Sequence, residues 1–118
     1  MNSESPIAIE ADETHGRTAV LRVRGRLDGV TAPVLLDHCA KVQAEGRNLV
    51  LNLAGVSFMG SSGVGALLVL VDQFQEQAGQ VRFACVSESA RAVVDLLDLE
   101  EYLPIHGSEA DALLAMAA

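Results

Sequence analysis

The sequence predicts an α/β fold of two layers, in which a mixed sheet of about five strands carries helices mainly on one face. Two observations predict this fold. First, segments that alternate apolar and polar residues, as half-buried strands do, are interspersed along the chain with segments whose apolar residues recur at helical spacing. Second, the first two strands are joined by a short turn and would form an antiparallel hairpin, whereas later strands are separated by helices and would be parallel.

The strands are recognised by their alternation and by the turns that bound them. Residues 18–27 alternate, with Leu21 and Val23 on one face and Arg22 and Arg24 on the other. In residues 48–53 the leucines at every second position share one face. Strands are expected at 7–10, from 18, at 48–53, at 80–85 and at 103–106, with a turn over 12–16.

The helices are recognised by their caps and their apolar spacing. Thr31 is expected to cap a helix that ends at Gly46, and the longest helix is expected over 61–78. Ser87 and Ser108 are expected to cap two shorter helices. The faces opposite the apolar strand positions carry arginines, so one face of the sheet is expected to be partly solvated. The 118 residues fit a single domain, 1–118, in which residues 1–6 are a flexible tail.

Composition narrows the classes of partner. Eight basic and sixteen acidic side chains give a formal charge of −8, which argues against a nucleic-acid partner because phosphate backbones need clustered Lys and Arg. The longest apolar run, 66–71, is far too short to insert into a membrane, and no signal peptide is visible. Cys39 and Cys85 lie in apolar patterns without metal-ligand spacing, so we expect reduced thiols in a cytoplasmic protein.

The stretch FMGSSGVGALL, residues 58–68, is the main candidate for a functional site. A serine hydrolase would need G-x-S-x-G, which neither Ser61 nor Ser62 satisfies, so we do not expect an enzyme. A phosphate-binding loop would need a lysine, and the glycines do not have dinucleotide-binding spacing. A serine after such a loop is commonly only a helix N-cap. A phosphate on it would nevertheless lie at the positive end of a helix dipole, where its charge could switch a protein contact.

Two segments together resemble the STAS domain of bacterial anti-sigma factor antagonists. They are VRGRLDGVTAPVLLD, residues 23–37, and LVLNLAGVSFMGSSGVGALLVL, residues 49–70. The closing segment VRFACVSESARAVVDLLDLEEYLPIH is also similar to that family. The resemblance covers the chain from about residue 7 onward and implies a two-layer STAS fold.

The resemblance also implies a function. An unphosphorylated antagonist binds an anti-sigma factor, itself a serine kinase, and so frees a sigma factor. The kinase phosphorylates a loop serine, the complex dissociates, and a PP2C-type phosphatase resets the protein. The acceptor maps to Ser61, with Ser62 as a second possibility. The expected partner-binding set is Leu27, Asp28, Gly60, Ser61, Ser62, Gly63 and Val64. No cofactor or metal ion is implied, and the oligomeric state stays open.

One position departs from the family pattern. The family has Asp immediately before the acceptor, where this chain has Gly60. Other members of the family are scaffolds, or small subunits that bind the ATPase of an ABC lipid-transport system without being phosphorylated. The departure keeps that alternative open beside the phosphorylation switch.

Overall fold

A computed structural model describes residues 6–117 of the chain. One sheet has the strand order β1-β2-β3-β4-β5, and β1 pairs antiparallel with β2 while every later pair is parallel, as predicted. The strands are β1 (Ile7–His15), β2 (Thr18–Leu27), β3 (Asn48–Met59), β4 (Val81–Ala84) and β5 (Ile105–His106). The helices are α1 (Ala32–Ala44), α2 (Ser61–Glu76), α3 (Glu88–Leu96) and α4 (Glu109–Ala117).

The main core lies between the sheet and α1, α2 and α3. The alternate leucines of β3 (Leu49, Leu51 and Leu53) are fully buried there. In α2 the buried apolar side chains recur at helical spacing, through Val64, Leu67, Leu70 and Phe74. Each strand therefore turns one set of alternate residues toward these helices, which confirms that the helices lie mainly on one face.

The fourth helix packs on the opposite face of the sheet. Val20, Val50 and Ala84, one from each central strand, contact Ala112 and Met116 of α4 and form a second, smaller core. The face that the sequence predicted to be partly solvated is therefore covered at this place, while the remainder carries the arginines of β2.

Two strands are longer than predicted. β1 continues through the expected turn to His15, because the chain reverses only at Gly16, whose φ is +67°. β3 continues to Met59, but its register against β2 shifts twice. The first shift lies between the pairs Arg22–Asn52 and Arg24–Gly55. The second lies between the pairs Gly25–Val56 and Arg26–Phe58. These bulges interrupt the alternation, so period-2 analysis ends the strand at residue 53. The strands β4 and β5 are shorter than expected.

The contacts of the β1–β2 hairpin begin earlier in the chain than expected. Residues 1–5 of the predicted tail lie outside the described residues. Residue 6 does not belong to a loose tail, because the carbonyl of Pro6 accepts a hydrogen bond from the amide of Arg26 at 2.9 Å.

The first turn of α4 is fastened to β2 and β3 by one carboxylate. Glu109 accepts two hydrogen bonds from the Arg22 guanidinium, at 2.8 and 2.9 Å, and one from the Asn52 amide at 2.5 Å. The hydrogen bonds from Arg22 hold the pKa of Glu109 below its usual value, against the opposing effect of burial. This ion pair positions α4 over the second core.

We predict that Glu109→Gln lowers the free energy of unfolding by about 1 kcal/mol at pH 7, a value discounted because water partly screens the ion pair. The lowered pKa of Glu109 means that this stabilisation is complete above the unfolded-state pKa of about 4.3 and is lost as the pH falls through the folded-state pKa. Urea unfolding at neutral and acid pH measures the difference in the free energy of unfolding between the variant and the wild-type chain. Asp111→Asn removes the same charge from the same turn and should cost less; equal losses, or a loss that persists in acid, would contradict the prediction.

Candidate functional site

The candidate site forms where β2 and β3 end side by side. Leu27 and Met59 are paired as the last residues of these strands, and the chain then enters α1 and α2. The amide of Gly60 donates a hydrogen bond to the carbonyl of Leu27 at 3.0 Å. The β2–α1 loop and the start of α2 are therefore in direct contact, and the structure brings together the two segments that the sequence singled out.

Gly63 permits this close contact. A Cβ atom at Gly63 would lie 2.6 Å from the carbonyl oxygen of Leu27 and 3.1 Å from its Cγ. Gly65, two residues later, has no neighbouring atom within 4 Å of where its Cβ would be. The glycine at position 63 is thus required by packing, whereas the one at 65 is not.

Asp28 shapes the β2–α1 loop. Its Oδ1 atom accepts hydrogen bonds from the amides of Val30 at 3.0 Å and Thr31 at 3.1 Å. The backbone hydrogen bond from Thr31 is the main cause that lowers the pKa of Asp28, so this carboxylate is charged at neutral pH. Oδ2 lies 3.4 Å from Nε of Arg26. One oxygen of Asp28 therefore stabilises the turn, while the other faces the guanidinium of Arg26.

Thr31 occupies the N-cap position of α1, as predicted, but within the described residues its hydroxyl makes no capping hydrogen bond. Its backbone is already helical. The hydroxyl instead donates to the carbonyl of Arg26 at 2.8 Å and accepts from the amide of Asp28 at 3.0 Å. The predicted N-cap position is therefore confirmed, while the Asp28 carboxylate, and not the Thr31 hydroxyl, accepts the hydrogen bonds of the loop amides.

Ser61 and Ser62 are both exposed, in the first turn of α2. The N-cap of this helix is Gly60, not a serine, and in the described chain no side chain caps the helix start. Ser62 lies against the neighbouring loop, because its Oγ is 3.5 Å from where a Cβ on Gly29 would sit. The first turn thus presents two accessible hydroxyls at a helix N-terminus that carries partial positive charge.

Three residues of the predicted partner-binding set lie beneath the surface of the site. Leu27, Gly63 and Val64 are buried, because they join the strand ends to the main core. They support the loops from below, and their place in the partner-binding set stays a prediction. Of the same set, Asp28 and Gly60 are partly exposed, and Ser61 and Ser62 are exposed.

The sequence analysis missed the exposed apolar part of the site. Val30 is 80% exposed, and Phe58 and Val34 about two fifths exposed. The guanidinium of Arg26 stacks on the Phe58 ring, 4.3 Å from its centroid, while it also faces Asp28. Phe58 was detectable as the aromatic residue just before the glycine-serine stretch, but its pairing with Arg26 depends on the bulge in β3.

The described residues show no arrangement that would activate a serine as a nucleophile. The three histidines make their contacts elsewhere: His15 with Asp12, His38 with the Val34 carbonyl and His106 with Arg82. Between residues 6 and 117 no group of His, Cys, Asp or Glu could hold a metal ion. Cys39 is buried, which raises the pKa of its thiol to about 12, and Cys85 is half-buried; both are free.

Comparison with known proteins identifies the family to which the chain belongs. The family profile described as the STAS domain matches residues 9–112, so the chain belongs to the STAS domain family. This confirms the family that the sequence motifs indicated. No helix in the described part of the chain is long and apolar enough to cross a membrane.

Particular relatives are anti-sigma factor antagonists. The anti-sigma-F factor antagonist RsfB of Mycobacterium tuberculosis is 31% identical over 103 residues, which cover 84% of this chain and 81% of RsfB. The crystal structure of an anti-sigma factor antagonist from Mycobacterium paratuberculosis is 27% identical, with a TM-score of 0.83 and 95% of both chains covered. The phosphorylated form of SpoIIAA, a Bacillus cell fate determinant, shares the fold at 24% identity, with a TM-score of 0.67 over 90% of this chain and 96% of SpoIIAA.

We predict that Gly63→Ala lowers the free energy of unfolding by about 1–3 kcal/mol, because its methyl group would overlap the Leu27 carbonyl and force the two loops apart. Gly65→Ala is the matched control in the same helix. Since its methyl group meets open space, it should leave stability unchanged or raise it by up to about 1 kcal/mol. Chemical denaturation of both variants measures the difference, and similar values for the two would show that the contact is not tight.

Proposed function

We propose that the chain is an anti-sigma factor antagonist that binds an anti-sigma factor, and that phosphorylation of Ser61 switches this binding off. The observation that carries the proposal is the exposed Ser61 hydroxyl at the start of α2, beside the exposed side chains of Val30 and Phe58. In this proposal the anti-sigma factor is a serine kinase, a PP2C-type phosphatase removes the phosphate, and the cycle takes place in the cytoplasm.

The apolar side chains supply the docking area. Val30 and Phe58 flank the loop contact, and Asp28 and Arg26 lie between them. Exposed apolar side chains rimmed by charged ones are typical of a protein interface. The chain would thus act by contact, and we propose no catalytic reaction at the serines.

Ser61 is the better acceptor of the two serines. Ser62 lies against Gly29 of the β2–α1 loop, whereas Ser61 precedes it at the first helical position. A phosphate there would meet the free amides of the helix start and its partial positive charge, an arrangement worth up to about 1 kcal/mol at an exposed site. The first turn carries no acidic residue that would repel it.

The added charge would break the contact without unfolding the protein. A phosphate group brings about −1.5 to −2 charge, and a partner that covers Val30 and Phe58 would have to desolvate it. Disrupting a close polar contact in an interface costs about 2–5 kcal/mol, and each ~1.4 kcal/mol is a factor of ten in affinity. One phosphate would therefore lower the affinity of the complex by more than tenfold.

The relatives support the role and the modification separately. RsfB and the Mycobacterium paratuberculosis protein are named as anti-sigma factor antagonists. SpoIIAA, which shares the fold, has been solved in a phosphorylated form, so a chain of this shape accommodates the modification.

Gly60 favours a second candidate function. The family Asp at this position would cap α2 and lie beside the acceptor, whereas Gly60 offers the kinase no carboxylate. There is room for one, since the nearest atoms to its Cβ position are 3.6 Å away on Phe58 and 3.8 Å away on Asp28. In this second proposal the same surface binds a scaffold, or the ATPase of an ABC lipid-transport system, without phosphorylation.

We predict that an anti-sigma factor kinase from the organism that encodes the chain transfers one phosphate group to it from ATP. Intact-mass spectrometry would detect the modification, because each phosphate adds a fixed mass. Ser61→Ala should abolish the transfer. Ser62→Ala is the matched control, and it should leave the transfer in place.

Two results would decide against the switch. Transfer that survives in Ser61→Ala would assign the phosphate to another residue. An unchanged mass after incubation with the kinase and ATP would show that the switch is wrong, and binding to a scaffold or to an ABC ATPase would then favour the second function.

A further inference from the structure

A second exposed apolar surface lies where α3 ends, and the proposed function makes no use of it. Leu96 is 82% exposed, Tyr102 66% and Leu97 43%. Clustered exposed apolar residues mark interaction surfaces, whereas single ones do not. We refer to residues 95–102 as the distal surface.

The distal surface is a folded turn with a defined shape. The amide of Leu97 bonds to the Val93 carbonyl, and the amide of Leu99 reaches back to the Val94 carbonyl, both at 3.0 Å. Asp98 takes the left-handed conformation that this turn requires, with φ +60°. Leu99 and Leu103 pack into the main core on either side of Tyr102. The exposed side chains are therefore held outward by a fixed backbone.

Carboxylates surround these apolar side chains. Asp95, Asp98, Glu100 and Glu101 all fall within the distal surface. The side chain of Asp95 lies close to Glu100, where it would accept a hydrogen bond from the protonated Glu100 and repel its charged form, and both effects raise the pKa of Glu100. Arg91 is the cation that acts on Glu100, so acidic groups outnumber basic ones here. Like charges held this close favour a partner that brings positive charge.

The distal surface and Ser61 lie at opposite ends of the parallel strands. α2 starts where β3 ends, whereas α3 starts after β4 and ends before β5, which runs parallel to β3 and β4. Residues 95–102 are therefore at the end where the parallel strands begin. A protein bound at the distal surface would leave the Ser61 surface free.

We propose that the distal surface docks a basic amphipathic segment of a partner protein, with apolar residues on Leu96, Leu97 and Tyr102 and Lys or Arg against the carboxylates. Charge complementarity selects this occupant. A second copy of the chain, with a formal charge of −8, would bring more negative charge to an acidic surface. This inference stands independently of phosphorylation at Ser61.

The test is an NMR titration of the labelled full chain with a synthetic helical peptide of Lys and Leu at amphipathic spacing. We expect amide shifts to change mainly at residues 95–102, and the affinity to fall as salt rises. The double variant Leu96→Ser/Tyr102→Ser should weaken binding by about tenfold or more, as loss of an apolar anchor does. Leu114→Ser is the matched control, since Leu114 is 71% exposed on α4.

Several outcomes would overturn the proposal. They are shifts spread over the whole acidic surface, equal effects of the double variant and Leu114→Ser, and binding that salt does not weaken. Self-association of the chain through Leu96, detected by sedimentation, would assign the surface to a second copy instead.

Discussion

The backbone carbonyl of Leu27 is the contact on which the candidate site depends. It accepts the amide hydrogen of Gly60 and lies against the Cα atom of Gly63, so it sets how closely α2 approaches the β2–α1 loop. Because Leu27 itself is fully buried, this carbonyl is anchored in the main core. The loops that carry Asp28 and the two serines are therefore held at a fixed distance by the sheet beneath them.

On this buried support, the site combines exposed hydroxyls with an aromatic ring and a pair of opposite charges. The hydroxyls of Ser61 and Ser62 lie at a helix start whose N-cap, Gly60, contributes no side chain. Beside them, Arg26 bridges the Phe58 ring and the Asp28 carboxylate. In the proposed switch, a charge added to this surface would change what can dock on it while the buried contacts below remain the same. The distal surface, at the other end of the parallel strands, would allow a second partner at the same time.

Much of the fold was predictable because local patterns and tertiary structure agree. The alternation in β2, the apolar spacing in α2 and the serine that caps α3 were each predicted and found, with Ser87 accepting the Ala90 amide at 3.2 Å. The second half of β3 was not predictable, because two bulges against β2 interrupt the period that identifies a strand. The position of α4 could not be predicted either, since its few buried residues match either face of the sheet.

The site was predictable in its elements and not in its details. The glycine-serine stretch and Asp28 were identified as one site from motifs alone, and the structure brings them together. The burial of Leu27, Gly63 and Val64 follows from packing that a motif does not show. The stacking of Arg26 on Phe58 depends on register across two strands, which no spacing within the sequence reveals.

The claim that a charge at position 61 blocks docking without altering the fold is tested most directly by comparing Ser61→Asp with Ser89→Asp. Both serines are exposed in the first turn of a helix, so the two variants gain the same charge at comparable positions, one inside the proposed docking surface and one outside it. Affinity for the anti-sigma factor should fall about a hundredfold in Ser61→Asp, from a cost of roughly 3 kcal/mol. It should stay near wild type in Ser89→Asp, and both should melt at nearly the wild-type temperature. Equal affinities for the two variants, or a loss of binding accompanied by unfolding, would contradict the account.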